Sequence, residues 1–266
     1  MDQIVDQRDF DLLAGDRYTF SVLSRVLHYP CNAVYTDHER LILCHTTNPY
    51  PVWLWTPDDL TETDCTRAWQ LAQETCPFGR GFRYNMKYEL ADAMIRLAKE
   101  TGLKLEIVTN MFAYDCPEAI APAVPTEGRL YRCTMDDLEE AARLIDSFHE
   151  DIAQDRSSME HCREVAAQRI ENGGFFLWKN GQDETVACCS LNAEDGLGCV
   201  GSVYTKPEHR RRHYAQHLVY QVTNLAAEQG LMPMLYTDAD YAASNACYEK
   251  IGYILRGKLC TVAAKK

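Results

Sequence analysis

Val203-Tyr204-Thr205-Lys206-Pro207-Glu208-His209-Arg210-Arg211-Arg212-His213-Tyr214-Ala215 decides how the rest of the chain is read. A β-type run stops before Pro207, three arginines follow, and a helix opens directly behind them. A helix N-terminus presents unpaired N–H groups and the positive end of the macrodipole, so it attracts phosphate. Arginine adds several donors suited to phosphate oxygens. Strand, basic turn and helix together have the makings of a pyrophosphate cradle. The helix runs from His213 to Gln229, with Ala215, Leu218, Val219, Val222, Leu225 and Ala226 on one apolar face and Gly230 at the C′ position. A strand at Met234-Leu235-Tyr236 and the segment Ser244-Asn245-Ala246-Cys247-Tyr248-Glu249-Lys250-Ile251-Gly252-Tyr253 come next.

This run resembles the acetyl-CoA-binding signature of the GNAT superfamily of N-acetyltransferases, whose loop reads Arg/Gln-x-x-Gly-x-Gly/Ala. Here the loop is Arg210-Arg211-Arg212-His213-Tyr214-Ala215, with His213 where the motif has glycine. Asn245-x-x-Tyr248-Glu249-Lys250-x-Gly252-Tyr253 is a second match, in the order and spacing the family uses. The resemblance covers about 129–260. It implies an α/β (α+β) protein whose C-terminal domain has the GNAT fold, with a mixed, mostly antiparallel sheet, behind a smaller α/β domain.

Outside this stretch, 266 residues suffice for two domains that each bury a core. Net charge is −12, shared by residues 1–125 (11 Lys+Arg against 18 Asp+Glu) and 126–266 (16 against 21). Such a chain repels nucleic acid and anionic membranes, so neither is expected as a partner, and the basic cluster at 209–212 stands out. The start, Met1 to Asp9, is acidic and lacks a signal-peptide core, and no apolar run reaches membrane-spanning length. A cytoplasmic protein is expected. Its twelve cysteines are scattered, none in Cys-x-x-Cys or zinc spacing. They read as reduced, mostly buried thiols, with no metal site.

Taken in order, residues 8–28 have helical spacing, with Phe10, Leu13, Tyr18, Val22, Leu23 and Val26 on the inner face. A hairpin joins Asn32–Tyr35 to Leu41–Cys44, and Val52–Trp55 is a strand. Thr61–Cys76 is a helix capped by Thr61 or Thr63, Tyr88–Thr101 a helix closed by Gly102, and Leu103–Val108 a strand. Pro117, Pro122, Pro125 and Gly128 mark a linker, which divides the chain into domains at 1–118 and 129–266 with 119–128 between. Arg129–Cys133 is a strand, Thr134 caps a helix, and Ser157–Asn172 is a second helix. Strands follow at Gly174–Lys179, Thr185–Leu191 and Leu197–Thr205. Gly198 and Gly201 within the last of these signal a bulge or close backbone approach. A shift of 128 residues lays Leu90, Met94, Ala98 and Gly102 on Leu218, Val222, Ala226 and Gly230. The first half thus reads as a degenerate GNAT-like copy. It has Arg83-Tyr84-Asn85-Met86-Lys87 in place of the triple arginine, and no CoA binding is expected there.

The resemblance implies direct acetyl transfer from acetyl-CoA to a primary amine of a small molecule or peptide. Main-chain donors around Val203, Tyr204 and Thr205 would hold the pantetheine and polarise the carbonyl. Arg210, Arg211, Arg212, His213, Tyr214 and Ala215 would hold the pyrophosphate, Asn245 would bond the pantetheine arm, and Tyr248 would protonate the leaving thiolate. Taken alone, Tyr248 reads as a core aromatic, Asn245 as a helix-start residue and the arginines as a solvated face. The strand 197–205 carries no carboxylate, and Glu194, Asp195, Asp238 and Asp240 near strand ends leave the general base open. Cys199 as an acyl carrier is disfavoured, since a buried strand cysteine is usually inert. A non-catalytic acyl-CoA sensor and an interaction protein with a vestigial site are the rival readings. A homodimer is a candidate assembly.

Overall fold

The computed structural model describes residues 1–153 and 158–265. The amphipathic stretch at 8–28 folds as two helices, α1 (Gln7–Ala14) and α2 (Ser21–Val26). Between them Asp16 accepts from the Trp55 indole N–H (2.8 Å) and from the Lys87 ammonium (2.6 Å), which ends the helical run. Leu13 and Leu23 of the expected inner face are buried, and Phe20, in the break, is buried with them. Strands β1 (Ala33–Thr36) and β2 (Ile42–His45) form the expected hairpin, and β2 pairs with β3 (Val52–Trp55). Helix α3 (Glu62–Thr75) starts at Thr61, where Asp64 closes a capping box, and this settles the choice of cap.

Strand β4 (Tyr84–Met86) has no counterpart in the sequence expectations. It is only three residues long, and its partners are β3 in parallel and the last strand of the chain, through Cys260↔Met86. Helix α4 (Tyr88–Glu100) follows, and then β5 (Leu105–Asp115), which runs seven residues past the expected end at Val108. Strand β6 (Arg129–Arg132), a Thr134-capped turn and α5 (Leu138–Phe148) come next. Helix α6 (Met159–Glu171) is capped by Ser158; Ser157, expected to begin it, lies outside the described residues. The remainder is β7 (Phe175–Lys179), β8 (Thr185–Glu194), β9 (Leu197–Thr205), α7 (Tyr214–Glu228), β10 (Met232–Asp238), α8 (Ala242–Ile251) and β11 (Ile254–Ala264).

These elements form two compact units that are not contiguous in sequence. Unit 1 is Met1–Ala113 with Thr237–Tyr241 and Leu255–Lys266; unit 2 is Tyr114–Tyr236 with Ala242–Ile254. The linear partition at 1–118 and 129–266 therefore differs from the observed one. Pairing of β11 with β4, across more than 170 residues of chain, leaves no local pattern to read. The proline-rich stretch is also no loose linker. Ile120 N–H bonds Ile251 O (2.7 Å), the Trp178 indole N–H bonds Glu127 O (2.9 Å), and the Tyr214 hydroxyl bonds Glu127 (3.1 Å), all within unit 2.

In unit 1 the strand order is β1-β2-β3-β4-β11-β5; in unit 2 it is β10-β9-β8-β7-β6. Both are open and mixed, with β3–β4 and β9–β10 parallel among antiparallel pairs. Helices α4 and α7 are built alike. Leu90, Met94 and Ala98 are fully buried in one, Leu218, Val222 and Ala226 in the other. Each buried Leu or Val there contributes roughly 1.5–3 kcal/mol relative to exposure. The strands that flank α4 differ from those that flank α7: β11 lies between β4 and β5, whereas β9 and β10 are direct neighbours.

A charged clasp closes the N-terminus of unit 1. Asp2 bridges Thr36 through two main-chain bonds, and His38 sits at φ +60 with Nδ1 2.9 Å from Asp9 and Nε2 3.3 Å from Asp2. Asp9 is fully buried and also takes the Thr36 hydroxyl. Asp6, Asp9 and His38 are close enough to share a cation, but Asp6 is committed to Arg8 (2.7 Å) and Asp9 to Thr36 and His38. Burial acts to lower the His38 pKa, and the bonds to Asp2 and Asp9 outweigh it, so the net shift is upward. A raised histidine pKa stabilises the fold fully below the ordinary value and ceases to do so as pH climbs through the raised one. The stability gap between wild type and His38→Ala is thus expected to narrow as pH rises from the ordinary histidine value through the raised one. Thermal unfolding across that range checks it, and a gap independent of pH would refute the clasp.

Candidate functional site

Strand β9 carries the irregularity that its glycines signalled. Cys188 faces Tyr204 while Ser190 faces Gly201, so one residue of β8, Cys189, stands opposite two of β9, and Ser202–Val203 form a bulge. Ser202 has φ +48, and its hydroxyl accepts from Arg169 Nη1 of α6 (3.1 Å). On the other edge, among the described residues, β9 pairs with β10 at Leu197, Gly198 and Cys199 alone. From Val200 onward no register joins the two strands, so a slot opens whose β9 wall is the bulge and Val203, Tyr204 and Thr205. Gly198 holds the closed end: a Cβ there would stand 2.8 Å from Cβ of Ala226, so α7 packs this closely only on glycine.

The basic turn lies at the end of that wall. Arg211 (φ +64) and His213 (φ +63) are both left-handed, and His213 caps α7. His213 therefore takes the backbone conformation for which glycine is the usual residue, at a cost of roughly 1–2 kcal/mol. The first amide of the helix with a backbone partner is that of His217, bonded to His213 O (3.1 Å). The amides of Arg211, Arg212, His213, Tyr214, Ala215 and Gln216 take no backbone partner among the described residues. Two residues that sequence reasoning did not single out brace this turn: the Thr126 hydroxyl donates to Arg212 O (3.1 Å), and Glu127 holds the Tyr214 hydroxyl. All three arginines are exposed, and Arg210 in addition bonds Asp151 (2.8 Å) and Thr205 O (3.1 Å) and lies over the Tyr204 ring.

Helix α8 follows β10 and packs on α7. Asn245 and Tyr248 both lie on its buried face, with Tyr248 edge-on to Tyr253 at 6.0 Å between centroids. Burial, together with neighbouring Cys116, Tyr248 and Cys199, drives the Tyr253 pKa well up and keeps that phenol neutral. Tyr253 shares a 2.8 Å bond with the Thr223 hydroxyl of α7. Gly252 ends α8 at φ +102, where a Cβ would meet Glu118 O at 2.4 Å.

Comparison with known proteins places this arrangement. The acetyltransferase (GNAT) family matches residues 135–253, which hold the bulge, the turn and α8. These residues form a GNAT acetyltransferase domain. No curated protein sequence matches the chain. Among solved structures, a GCN5-related N-acetyltransferase from Kribbella flavida is similar at 15% identity and TM-score 0.67, covering 95% of this chain and 96% of that one. One from Sphaerobacter thermophilus is similar at 13% and 0.66, covering 95% and 91%. A GNAT-family acetyltransferase from Colwellia psychrerythraea covers 100% and 99% at 12% identity and TM-score 0.60. At such identities the likeness is one of fold, and it extends over both units.

Within the GNAT domain no carboxylate side chain lies on β9 beyond the hairpin that opens it. Glu194 and Asp195 sit at that hairpin, roughly 15–20 Å along the strand from the bulge. Asp238 and Asp240 belong to unit 1. The acid that does face the strand is Asp151, 3.2 Å from the Tyr204 hydroxyl and paired with Arg210. Sequence gave no signal for it, since the contact spans more than fifty residues. An open cavity of about 650 Å³ belongs to unit 1, where Lys87 sits between Asp16 and Asp58 (2.6 Å each). Among the described residues no helix is long and apolar enough to cross a membrane.

Proposed function

We propose that the GNAT domain transfers the acetyl group of acetyl-CoA to a primary amine of a small molecule or peptide, by direct attack. The observation that carries this is the bulged β9 wall leading into six main-chain N–H groups without backbone acceptors. Those amides, at the positive end of a fifteen-residue helix, suit a pyrophosphate, with Arg211 and Arg212 beside them. Val203, Tyr204 and Thr205 carry the donors for the pantetheine and the thioester carbonyl, and Asn245 is the residue for the pantetheine arm. The amine nitrogen attacks the carbonyl carbon, the oxyanion is held by main-chain N–H of the bulge, and the C–S bond breaks with Tyr248 giving its proton to the sulfur. Arg210 has a different part from the one its motif position implies: tied to Asp151, it fixes Tyr204 and the end of the wall. The protein would act in the cytoplasm on a soluble, preferentially cationic amine, in keeping with the net charge of −12.

The absence of a carboxylate on β9 favours a second reading, in which acyl-CoA is held without turnover. Calorimetry with acetyl-CoA comes first. One site per chain is expected, because the gap between β4 and β5 of unit 1 is occupied by β11. The Arg210→Ala/Arg212→Ala variant is expected to weaken binding roughly tenfold or more. No binding by wild type would sink both CoA readings, and binding without acetylation of any amine would leave the sensor.

Position 213 tests the turn itself. His213→Gly is expected to keep acetyl-CoA affinity within about threefold, since glycine accepts the left-handed backbone. His213→Val places a β-branched residue there and is expected to weaken binding about tenfold. Equal affinities in the two variants would show that the turn does not hold the phosphates.

A further inference from the structure

Twelve free thiols occur in the protein, nine of them buried and none fully exposed. One pair is placed unlike the rest. The Cys44 thiol on β2 donates to the Cys31 sulfur at 3.5 Å, although thirteen residues separate them. Cys31 lies just before β1, where the Asn32 N–H bond to Thr46 O (3.1 Å) sets the backbone against the end of β2. Its sulfur also lies 3.3 Å from Val26 O and 3.3 Å from Tyr29 O, so the side chain is directed at Cys44 from a fixed turn. The two thiols differ in access. Cys31 is half-buried and Cys44 is fully buried.

We propose that Cys31 and Cys44 are a dithiol modification site that closes to a disulfide when a low-molecular-weight disulfide reaches Cys31. Closure needs the sulfurs to move from 3.5 Å to roughly 2.05 Å, within the range of a side-chain rotation. With glutathione disulfide, the Cys31 thiolate attacks one sulfur, forming Cys31–S–SG and releasing one glutathione. Cys44 then attacks the Cys31 sulfur, its proton leaves to solvent or to the departing thiolate, and the second glutathione departs. Two protein thiols are oxidised and one glutathione disulfide is reduced to two glutathiones. The order of the two roles follows from access, since only Cys31 meets solvent. It agrees with the electrostatics, because burial, followed by the neighbouring Cys31, pushes the Cys44 thiol strongly up and keeps it protonated until Cys31 is activated. The bond would tie the exit of α2 to the β1–β2 hairpin and close a loop of fourteen residues. Constraint of that loop in the unfolded chain stabilises unit 1.

The test treats the full-length protein with glutathione disulfide, blocks residual thiols under denaturing conditions, and maps peptides without reduction. Trypsin separates Cys31 (residues 26–40) from Cys44 (residues 41–67), and fragmentation distinguishes Cys44 from Cys65 in the second peptide. The expected product is one Cys31–Cys44 link, with the unfolding midpoint raised by roughly 5 °C and reversed by dithiothreitol. Cys44→Ser is expected to accumulate the Cys31–glutathione adduct, and Cys31→Ser to show neither link nor adduct. Should Cys44→Ser not fold, the Cys31→Ser result and the peptide map decide the matter. A different pairing, or wild type that stops at the Cys31 adduct or leaves both thiols free, would overturn the proposal.

Discussion

Deleting Ser202 is expected to lower acetyl transfer at least about 100-fold while unit 2 stays folded. Ser202 is in the two-for-one bulge of β9, at φ +48 and fastened through its hydroxyl to Arg169. Without it, Gly201 and Val203 to Thr205 can pair with β8 in one uninterrupted register. Main-chain donors that the bulge turns out of the ladder would then be used up on β8, and the thioester carbonyl would lose its polarising contacts. Loss of an oxyanion donor typically costs two to three orders of magnitude in rate. Ser202→Gly is the control, because it keeps the residue count and accepts the left-handed backbone. It is expected to retain most activity. Steady-state kinetics beside circular dichroism separates the outcomes, and a deletion variant as active as wild type would remove the bulge from the mechanism.

Tyr248→Phe is expected to reduce kcat roughly 100-fold with KM for acetyl-CoA changed by less than about threefold. The side chain is 7% exposed and packs edge-on against Tyr253, so phenylalanine keeps the shape and removes only the hydroxyl. If the hydroxyl protonates the leaving thiolate, its loss appears in kcat, because that proton is needed only as the C–S bond breaks. A core aromatic predicts the reverse pattern, with kcat unchanged and the unfolding midpoint shifted. Pre-steady-state measurement of thiol release decides between these, and undiminished release in the variant would free Tyr248 from the acid role.

The basic turn, the irregular strand and the last helix of the GNAT domain were legible because their signals are local. Arg210 to Ala215 announce a turn and a helix N-terminus in six consecutive residues, and Gly198 and Gly201 mark an irregular strand before any partner is known. Asn245 and Tyr248 share one helix and Gly252 ends it, so their spacing in sequence is their spacing in space. The supporting residues were not legible. Thr126 and Glu127 brace the turn across more than eighty residues, and Asp151 reaches Tyr204 and Arg210 across more than fifty. The partner of Arg210 was not legible for the same reason, since it is set by the packing of another element.

The chain's sequence by itself determined the helices, most strands, the irregular strand and the basic turn before the helix. Period, capping boxes at Thr61 and Thr134, and left-handed or glycine positions are properties of neighbours along the chain. Tertiary structure alone decided which strands pair at long range. It laid β11 between β4 and β5, left β9 and β10 to part after Cys199, and brought the Cys31 and Cys44 sulfurs together. Those outcomes depend on main-chain hydrogen bonds and close packing between distant segments, and such bonds are satisfied by any backbone, so no residue pattern announces them.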